Sequence, residues 1–355
     1  MANQEDVALL ESRRRRLERW LAEMLPNAAD VSLSSFTPVP SGFSNITVFT
    51  DLRWRDASGV HEQELVLRAQ PAQGGLFPDY DLRLQYDVMA CLQHTGIPVP
   101  KVAWFVDDPD VLGAPAFLMR RVHGEVASGF RPGFHGHGLF FDASIERRRR
   151  MWFAAVDAMA SLHSLQLDAL ELPSSLQRQA TSADAVRAML DLIEGQLDWA
   201  ALGPLPILRE ALAFLRERVP VEARAALCWG DPRPGNIVYR DDQVAGVLDW
   251  ELAYVGPPEG DIAYFLLVDE VVAELNDVPR LPGLPEAAET VARYEQRTGL
   301  PVRNLEFHSI LQALRMAAML VLTVRLSPPQ LAFPPGYLTE NIPTRRLAAL
   351  LHTHA

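Results

Sequence analysis

The densest chemistry in the chain lies in Cys228-Trp229-Gly230-Asp231-Pro232-Arg233-Pro234-Gly235-Asn236-Ile237-Val238-Tyr239. The short apolar run Leu227–Trp229 predicts a strand that delivers Asp231 to its end. Asn236 follows five positions later. Ile237–Tyr239 and Gln243–Leu248 then predict a hairpin around Asp241-Asp242, and the second strand ends at Asp249-Trp250-Glu251. Asp231, Asn236 and Asp249 should therefore emerge at strand ends of one small β unit. Phosphoryl transfer needs such a set of oxygen groups. One carboxylate orients or deprotonates an attacking hydroxyl; a carboxamide and a second carboxylate hold Mg2+ against nucleotide phosphates. The D-x-x-x-x-N spacing alone arises by chance in many chains. Its specificity comes from the apolar strand before it and the hairpin ending in Asp-Trp after it.

Other elements must position this set. Residues 5–25 carry Leu10, Leu17, Leu21 and Met24 at helical spacing, and Pro26-Asn27 end that helix. Val48–Trp54 and Glu64–Arg68 predict strands joined by a turn at Asp56-Ala57-Ser58-Gly59. Residues 71–81 predict a loop, and Leu82–His94 a helix with Leu84, Val88 and Leu92 on one face. Val99–Val106 and Ala116–Val122 add two strands. Residues 1–122 thus predict a small β-rich α+β lobe. Residues 123–355 predict a larger, mainly helical lobe with candidate helices Arg148–Leu165, Ser182–Trp199, Pro206–Arg218, Pro285–Thr298 and Leu305–Leu326. The last 30 residues are interrupted by proline and carry no periodic pattern.

A length of 355 residues accommodates about two domains, and 48% apolar residues suffice for a large core. With 33 Lys+Arg against 45 Asp+Glu the formal charge is −12, which argues against non-specific nucleic-acid binding. Arg13–Arg16 and Arg147–Arg150 interrupt this acidity and predict solvated helix faces, with an anionic-ligand patch as the alternative. The N-terminal residues show no signal-peptide pattern. The apolar stretch Ile310–Leu326 contains Gln312, Arg315, Thr323 and Arg325 and predicts a buried helix rather than a membrane span. With only Cys91 and Cys228, no disulfide framework or zinc cluster is indicated, and the cytoplasm is the expected compartment.

Trp-Gly-Asp-x-x-x-x-Asn followed by Val247-Leu248-Asp249-Trp250-Glu251 resembles the aminoglycoside phosphotransferase superfamily. Within it, the motifs are most similar to the subgroup that includes the phosphotransferase part of some acyl-CoA dehydrogenase family proteins. The resemblance extends from about Phe36 to Leu267. It implies an α+β, protein-kinase-like fold of two lobes and an ATP- or GTP-dependent kinase acting on a hydroxyl of a small molecule. By resemblance Asp231 is the base, and Asn236 and Asp249 bind Mg2+. The turn Ser41-Gly42-Phe43-Ser44-Asn45 is similar to the family's phosphate-covering loop. Phe117–Gly124, with Met119 and Arg121, looks like the hinge that meets adenine. Arg68 stands where such enzymes usually carry a phosphate-binding Lys, and Gln85 where they carry its Glu partner. Gln85 could accept a hydrogen bond from Arg68, with Asp87 or Asp81 as fallback partners. Trp229 replaces the usual His, so the loop's support must differ. These departures leave two further readings: a nucleotide-binding pseudokinase with a regulatory role, and an aminoglycoside-modifying kinase. Asp261 matches the family's Asp after the metal site; a helix N-cap explains it equally well, so a structural role is expected.

Simpler readings apply to the remaining reactive residues. His163 on an apolar helix predicts a satisfied core or supporting residue. His135 and His137, within Phe130–Leu139, predict a surface loop. Cys228 predicts a small core residue. Trp20, Trp152, Trp199 and Trp250 predict core or interface aromatics. No Gly-x-Ser-x-Gly elbow supports a hydrolase.

Overall fold

The computed structural model describes residues 4–39, 45–71, 81–129, 131–174, 176, 179, 181–221, 224–327, 333–334 and 336–354. Ser41, Gly42, Phe43 and Ser44, Phe130 and most of the loop expected over 71–81 lie outside these residues. The chain divides into two compact units: residues 1–94 with 99–122, and residues 95–98 with 123–355.

The first unit comprises α1 (Gln4–Met24), β1 (Ala29–Leu33), β2 (Thr37–Pro38), β3 (Ile46–Asp56), β4 (Gly59–Ala69), α2 (Leu82–Leu92), β5 (Val102–Val106), α3 (Pro109–Leu112) and β6 (Ala116–Arg120). The antiparallel sheet runs β1-β3-β4-β6-β5, with β2 also paired to β3. Strand side chains alternate between faces, and here the alternation separates packing from candidate chemistry. Val48, Leu52, Leu65, Leu67, Ala116 and Leu118 share a core with Leu10, Leu17 and Leu21 of α1. Thr47 pairs with Arg68, Arg68 with Phe117, and Val66 with Met119, so these residues share the opposite face. Tyr86 of α2 packs edge-on against Phe117 there, at 6.0 Å between ring centroids.

The second unit contains β7 (Glu125–Val126), α4 (Leu139–Asp142), α5 (Ile145–His163), α6 (Ser182–Ala200), α7 (Pro206–Glu217), β8 (Ala226–Cys228), β9 (Ile237–Arg240), β10 (Gln243–Val247), β11 (Tyr254–Gly256), α8 (Glu259–Leu275), α9 (Ala287–Thr298), α10 (Leu305–Leu326) and α11 (Ile342–His354). Strands β10-β9-β7 form one small sheet and β11-β8 another. Buried Trp152 joins the helices: its indole N–H donates to Thr290 Oγ1 at 2.9 Å, and its ring lies 4.4 Å from that of Phe265.

Several elements depart from the sequence-based expectation. Only the start of helix α8 was indicated, through the cap expected at Asp261. Ile262, Ala263, Tyr264, Phe265, Leu267 and Val268 are all buried, so it lacks the one-sided stripe that marks a surface helix. Helix α11 was hidden by nearby prolines, although Pro343 sits in its first turn, where proline is tolerated. Helix α10 reaches 22 residues and by length and composition could cross a bilayer, but 67% of its most apolar window is buried in the fold. Trp199 is 45% exposed rather than core, whereas Trp152 and Trp250 are fully buried.

The arginine runs are clamps rather than merely solvated faces. Arg13 donates to the Leu112 carbonyl, and Arg14 to Glu11, Glu18 and the Leu33 carbonyl. Arg147 and Arg150 both pair with Asp242, Arg149 pairs with Glu289, and Arg148 donates to the carbonyls of Phe140, Phe141 and Pro282.

Helix α1 is therefore predicted to be integral to the first unit. Leu17 is fully buried, so Leu17→Ala should cost about 2–5 kcal/mol. A lowered denaturant midpoint of the transition that reports the first unit checks this; an unchanged midpoint contradicts it.

Candidate active site

The turn that carries Asp231 is shaped by Gly230. Its φ is +88°, and a Cβ there would lie 1.9 Å from the Leu252 carbonyl oxygen, so no side chain fits. Asp261 of α8 holds the turn. Its Oδ2 accepts from the Trp229 amide at 2.7 Å, and its Oδ1 from the Gly230 amide at 3.0 Å. Asp261 is thus not a helix cap, as the sequence suggested. Pro258 occupies that position, and the buried carboxylate instead satisfies amides of another segment. His163 at the end of α5 contacts Asp261 Oδ2 through Nε2 at 3.0 Å and the Tyr294 hydroxyl through Nδ1 at 2.8 Å. From the other side, Arg315 of α10 donates to the Gly230 carbonyl and lies 4.6 Å over the Tyr264 ring. Sequence reasoning did not assign Arg315. Its signal was a charge inside an otherwise apolar helix, which is rarely tolerated without a partner.

Asp231 is buried. Its Oδ2 accepts from Asn236 Nδ2 at 2.7 Å and from Arg233 Nε at 2.9 Å, while Oδ1 has no partner among the described residues. Burial pushes its pKa up. The charges of Arg233 and Arg315 and the bonds from Arg233 and Asn236 outweigh burial, so the carboxyl titrates below the ordinary aspartate range. Asp231 reciprocally raises the pKa of Arg233. Arg233 was also missed. It lies two positions after Asp231, within the motif itself.

The β9–β10 hairpin brings Asn236 towards Asp249. Asp241 and Asp242 at its tip have φ of +53° and +61°, the left-handed pair that a tight hairpin turn requires. The Leu248 amide donates to the Asn236 carbonyl at 2.8 Å. The indole of Trp229 donates to the Leu248 carbonyl at 2.7 Å, and that of Trp250 to Val247 at 3.0 Å. Trp229, at the position where the resemblance expects a His, therefore ties the loop to the strand preceding Asp249. Asp249 itself has φ +62°, a conformation costly for a non-glycine residue.

Asn236 and Asp249 offer hard oxygen donors of the kind Mg2+ selects, and beside Asn236 the buried Asp231 Oδ1 has no hydrogen-bond partner among the described residues. His163, Cys228 and Asp261 also lie within ligand distance of one another. They do not suit a metal: the atoms of His163 and Asp261 are engaged as above, and the Cys228 thiol donates to carbonyls of Ala226 and Gly256. Burial further pushes the Cys228 pKa well up, which keeps the thiol protonated.

In the first unit Asn45, Arg68, Met119 and Arg121 lie on or beside the sheet strands, and Gln85 on α2. Asn45 is buried, and neither side-chain amide atom has a partner among the described residues. Arg121 lies 4.0 Å over the Phe49 ring, on the Arg68 face, and 3.5 Å from Glu64. The expected Gln85–Arg68 hydrogen bond is not formed. Gln85 falls on the buried stripe of α2 with Leu82, Val88, Met89 and Leu92, and both its amide atoms lack a partner among the described residues. The fallback carboxylates are engaged elsewhere: Asp87 pairs with Arg83 at 2.8 Å, and Asp81 caps α2 through the Leu84 amide at 3.0 Å. His135 is likewise structural. It contacts the Asp269 carbonyl at 2.9 Å and the Leu281 amide at 3.2 Å, so it is a buried tie rather than a surface-loop residue.

The chain is similar to acyl-CoA dehydrogenase family member 10 of Mus musculus, with 26% identity over 276 residues, covering 73% of this chain and 24% of that protein. It is 30% identical over 261 residues to family member 11 of Gallus gallus, covering 70% of this chain and 30% of the relative. The chain thus spans about a quarter to a third of these relatives. Among solved structures, a candidate aminoglycoside phosphotransferase from Ralstonia eutropha superposes with a TM-score of 0.69 at 22% identity, over 95% of each chain. Aminoglycoside phosphotransferase APH(4)-Ia, solved with AMP-PNP and hygromycin B, gives a TM-score of 0.54 at 14% identity over 96% of this chain and 99% of that one. The fold is therefore the kinase-like α+β fold of these enzymes. Residues 35–305 match the phosphotransferase enzyme family, and with that match across most of its length the chain belongs to this family.

Proposed function

We propose that this phosphotransferase moves the γ-phosphoryl group of ATP to a hydroxyl of a small molecule, with Asp231 as the residue that receives that hydroxyl. The observation that carries the reading is the Asp231 carboxylate. It is buried and held ionised by Arg233, with one oxygen bonded to Arg233 and Asn236 and the other without a hydrogen-bond partner among the described residues. Asn236 and Asp249 would hold Mg2+, which when bound neutralises charge on the phosphates. The acceptor oxygen forms its bond to phosphorus as the bond to the leaving diphosphate breaks, and the hydroxyl proton passes to Asp231. A carboxylate with a lowered pKa is a weak base, so its main contribution is orientation, with the proton leaving late. That suits a loose transition state in which the nucleophile is little activated. Arg233 supplies positive charge beside the transferred group. In the first unit, Arg68 and Asn45 would serve the nucleotide phosphates, and Met119 and Arg121 the base. The named relatives make a hydroxylated acyl compound the first acceptor class to test.

One observation favours a second reading, a nucleotide-binding protein without turnover: Gln85, where the family carries the Glu that pairs with the phosphate-binding cation, accepts no hydrogen bond from Arg68. ATP binding without consumption on any acceptor of a hydroxyacyl and aminoglycoside panel selects that reading.

Asp231→Asn should reduce kcat by about a hundredfold or more while the chain still unfolds cooperatively, at a lowered thermal midpoint because the Arg233 pair is lost. Asp249→Ala should abolish Mg2+-dependent turnover. Wild-type activity in either variant overturns the assignment. The lowered pKa also fixes a pH sign. The stability that Asp231 contributes is present above the unfolded aspartate value of about 3.9 and is lost as pH falls below it. The Asp231 acid limb of kcat/KM should therefore lie below the ordinary aspartate range, and Arg233→Ala should move it upward. An unmoved limb in that variant contradicts the pairing.

A further inference from the structure

The second unit contains a cavity of about 220 Å3 that none of Asp231, Asn236 or Asp249 lines. Its walls bring together cationic and hydrogen-bonding groups that phosphoryl transfer does not use. Exposed Arg303 and half-buried Arg224 supply positive charge. Arg224 donates to the Tyr294 hydroxyl at 3.3 Å and to the His163 carbonyl at 3.1 Å. Helix α10 starts at this cavity. Its N-cap residue Asn304 sits in the left-handed region at φ +53° and makes no side-chain cap, so the first-turn amides keep room for an outside acceptor.

Two further observations point to an occupant. His308 lines the cavity, is 2% exposed, and has Nδ1 without a hydrogen-bond partner among the described residues. Glu259 on the wall has a buried Oε2 that likewise lacks one. Buried polar atoms cost stability unless something satisfies them. Burial keeps His308 neutral, its pKa lowered to about 4, so its ring offers a hydrogen bond rather than a charge.

We propose that this cavity binds a small organic anion that also carries a hydroxyl or amino group. Arg224, Arg303 and the open end of α10 take its carboxylate or phosphate, and Glu259 takes its donor. The volume is below that of pockets for drug-sized ligands, so the occupant is a small metabolite. Tyr294, on the wall, hydrogen-bonds His163, which contacts Asp261. An occupant therefore touches the network that holds the Trp229-Gly230 turn. The proposal does not depend on which acceptor is phosphorylated.

Calorimetric titration of the full chain with L-malate and with glycerol 3-phosphate, without nucleotide or Mg2+, tests it. At least one probe should bind saturably with a Kd of about 1 mM or tighter. Arg303→Ala should weaken that binding about tenfold or more, as expected for a lost charge-assisted hydrogen bond. Arg209→Ala, on α7, should leave it unchanged. Binding of malate assigns a carboxylate site and binding of glycerol 3-phosphate a phosphate site; either supports the proposal. Absence of both, or wild-type affinity in Arg303→Ala, overturns it.

Discussion

The arrangement around Asp231 depends on one buried carboxylate, that of Asp261, accepting two successive backbone amides. The turn needs this support because Gly230 lies in a left-handed conformation against the Leu252 carbonyl, leaving the Trp229 and Gly230 amides outside any strand ladder. Buried amides must find acceptors, and a charged acceptor in a low-dielectric interior is about twice as effective as a neutral one. His163 and Tyr294 fix the carboxylate from behind, and Arg315 takes the Gly230 carbonyl. Backbone donors and acceptor of the turn are thus satisfied by side chains from α8 and α10, with α5 bracing the α8 carboxylate. The direction in which Asp231 leaves the turn follows from those three helices.

A second constraint is electrostatic. The chain is acidic overall, at −12, yet a phosphotransferase must accommodate a polyanion. Arg233 and Arg315 place positive charge beside Asp231. Both lower the pKa of Asp231 against the opposing effect of burial. That arrangement secures the ionised form at the expense of basicity. The geometry therefore suits a carboxylate that orients a hydroxyl more than one that removes its proton early. Net charge bears on encounter with partners, whereas the site's field is set by the few groups within hydrogen-bonding distance of Asp231.

Much of this was legible in the chain itself. The β9–β10 hairpin could be read because strand alternation, an Asp-Asp turn and the D-x-x-x-x-N spacing are all local. The amphipathic α1 was visible for the same reason, through Leu10, Leu17 and Leu21. The body of helix α8 was not, because a helix buried on all sides shows no periodic stripe. The arginine runs read as solvated faces, since nothing nearby in sequence announces Asp242, Glu289 or the Leu112 carbonyl as partners. Gln85 misled in the opposite way: its motif position suggested Arg68 as partner, while the apolar stripe of α2 dictated where it points.

By itself, the sequence determined the oxygen donors Asp231, Asn236 and Asp249, their order, and the strands that end at them. Those features depend on side-chain type and on backbone preferences within a few residues. Only the tertiary structure decided what supports them. Asp261 reaches Trp229 and Gly230 across 32 and 31 residues, and Arg315 reaches Gly230 across 85. The reason is physical: a buried polar group must be satisfied by whatever packing brings near, and packing joins segments that no local pattern connects.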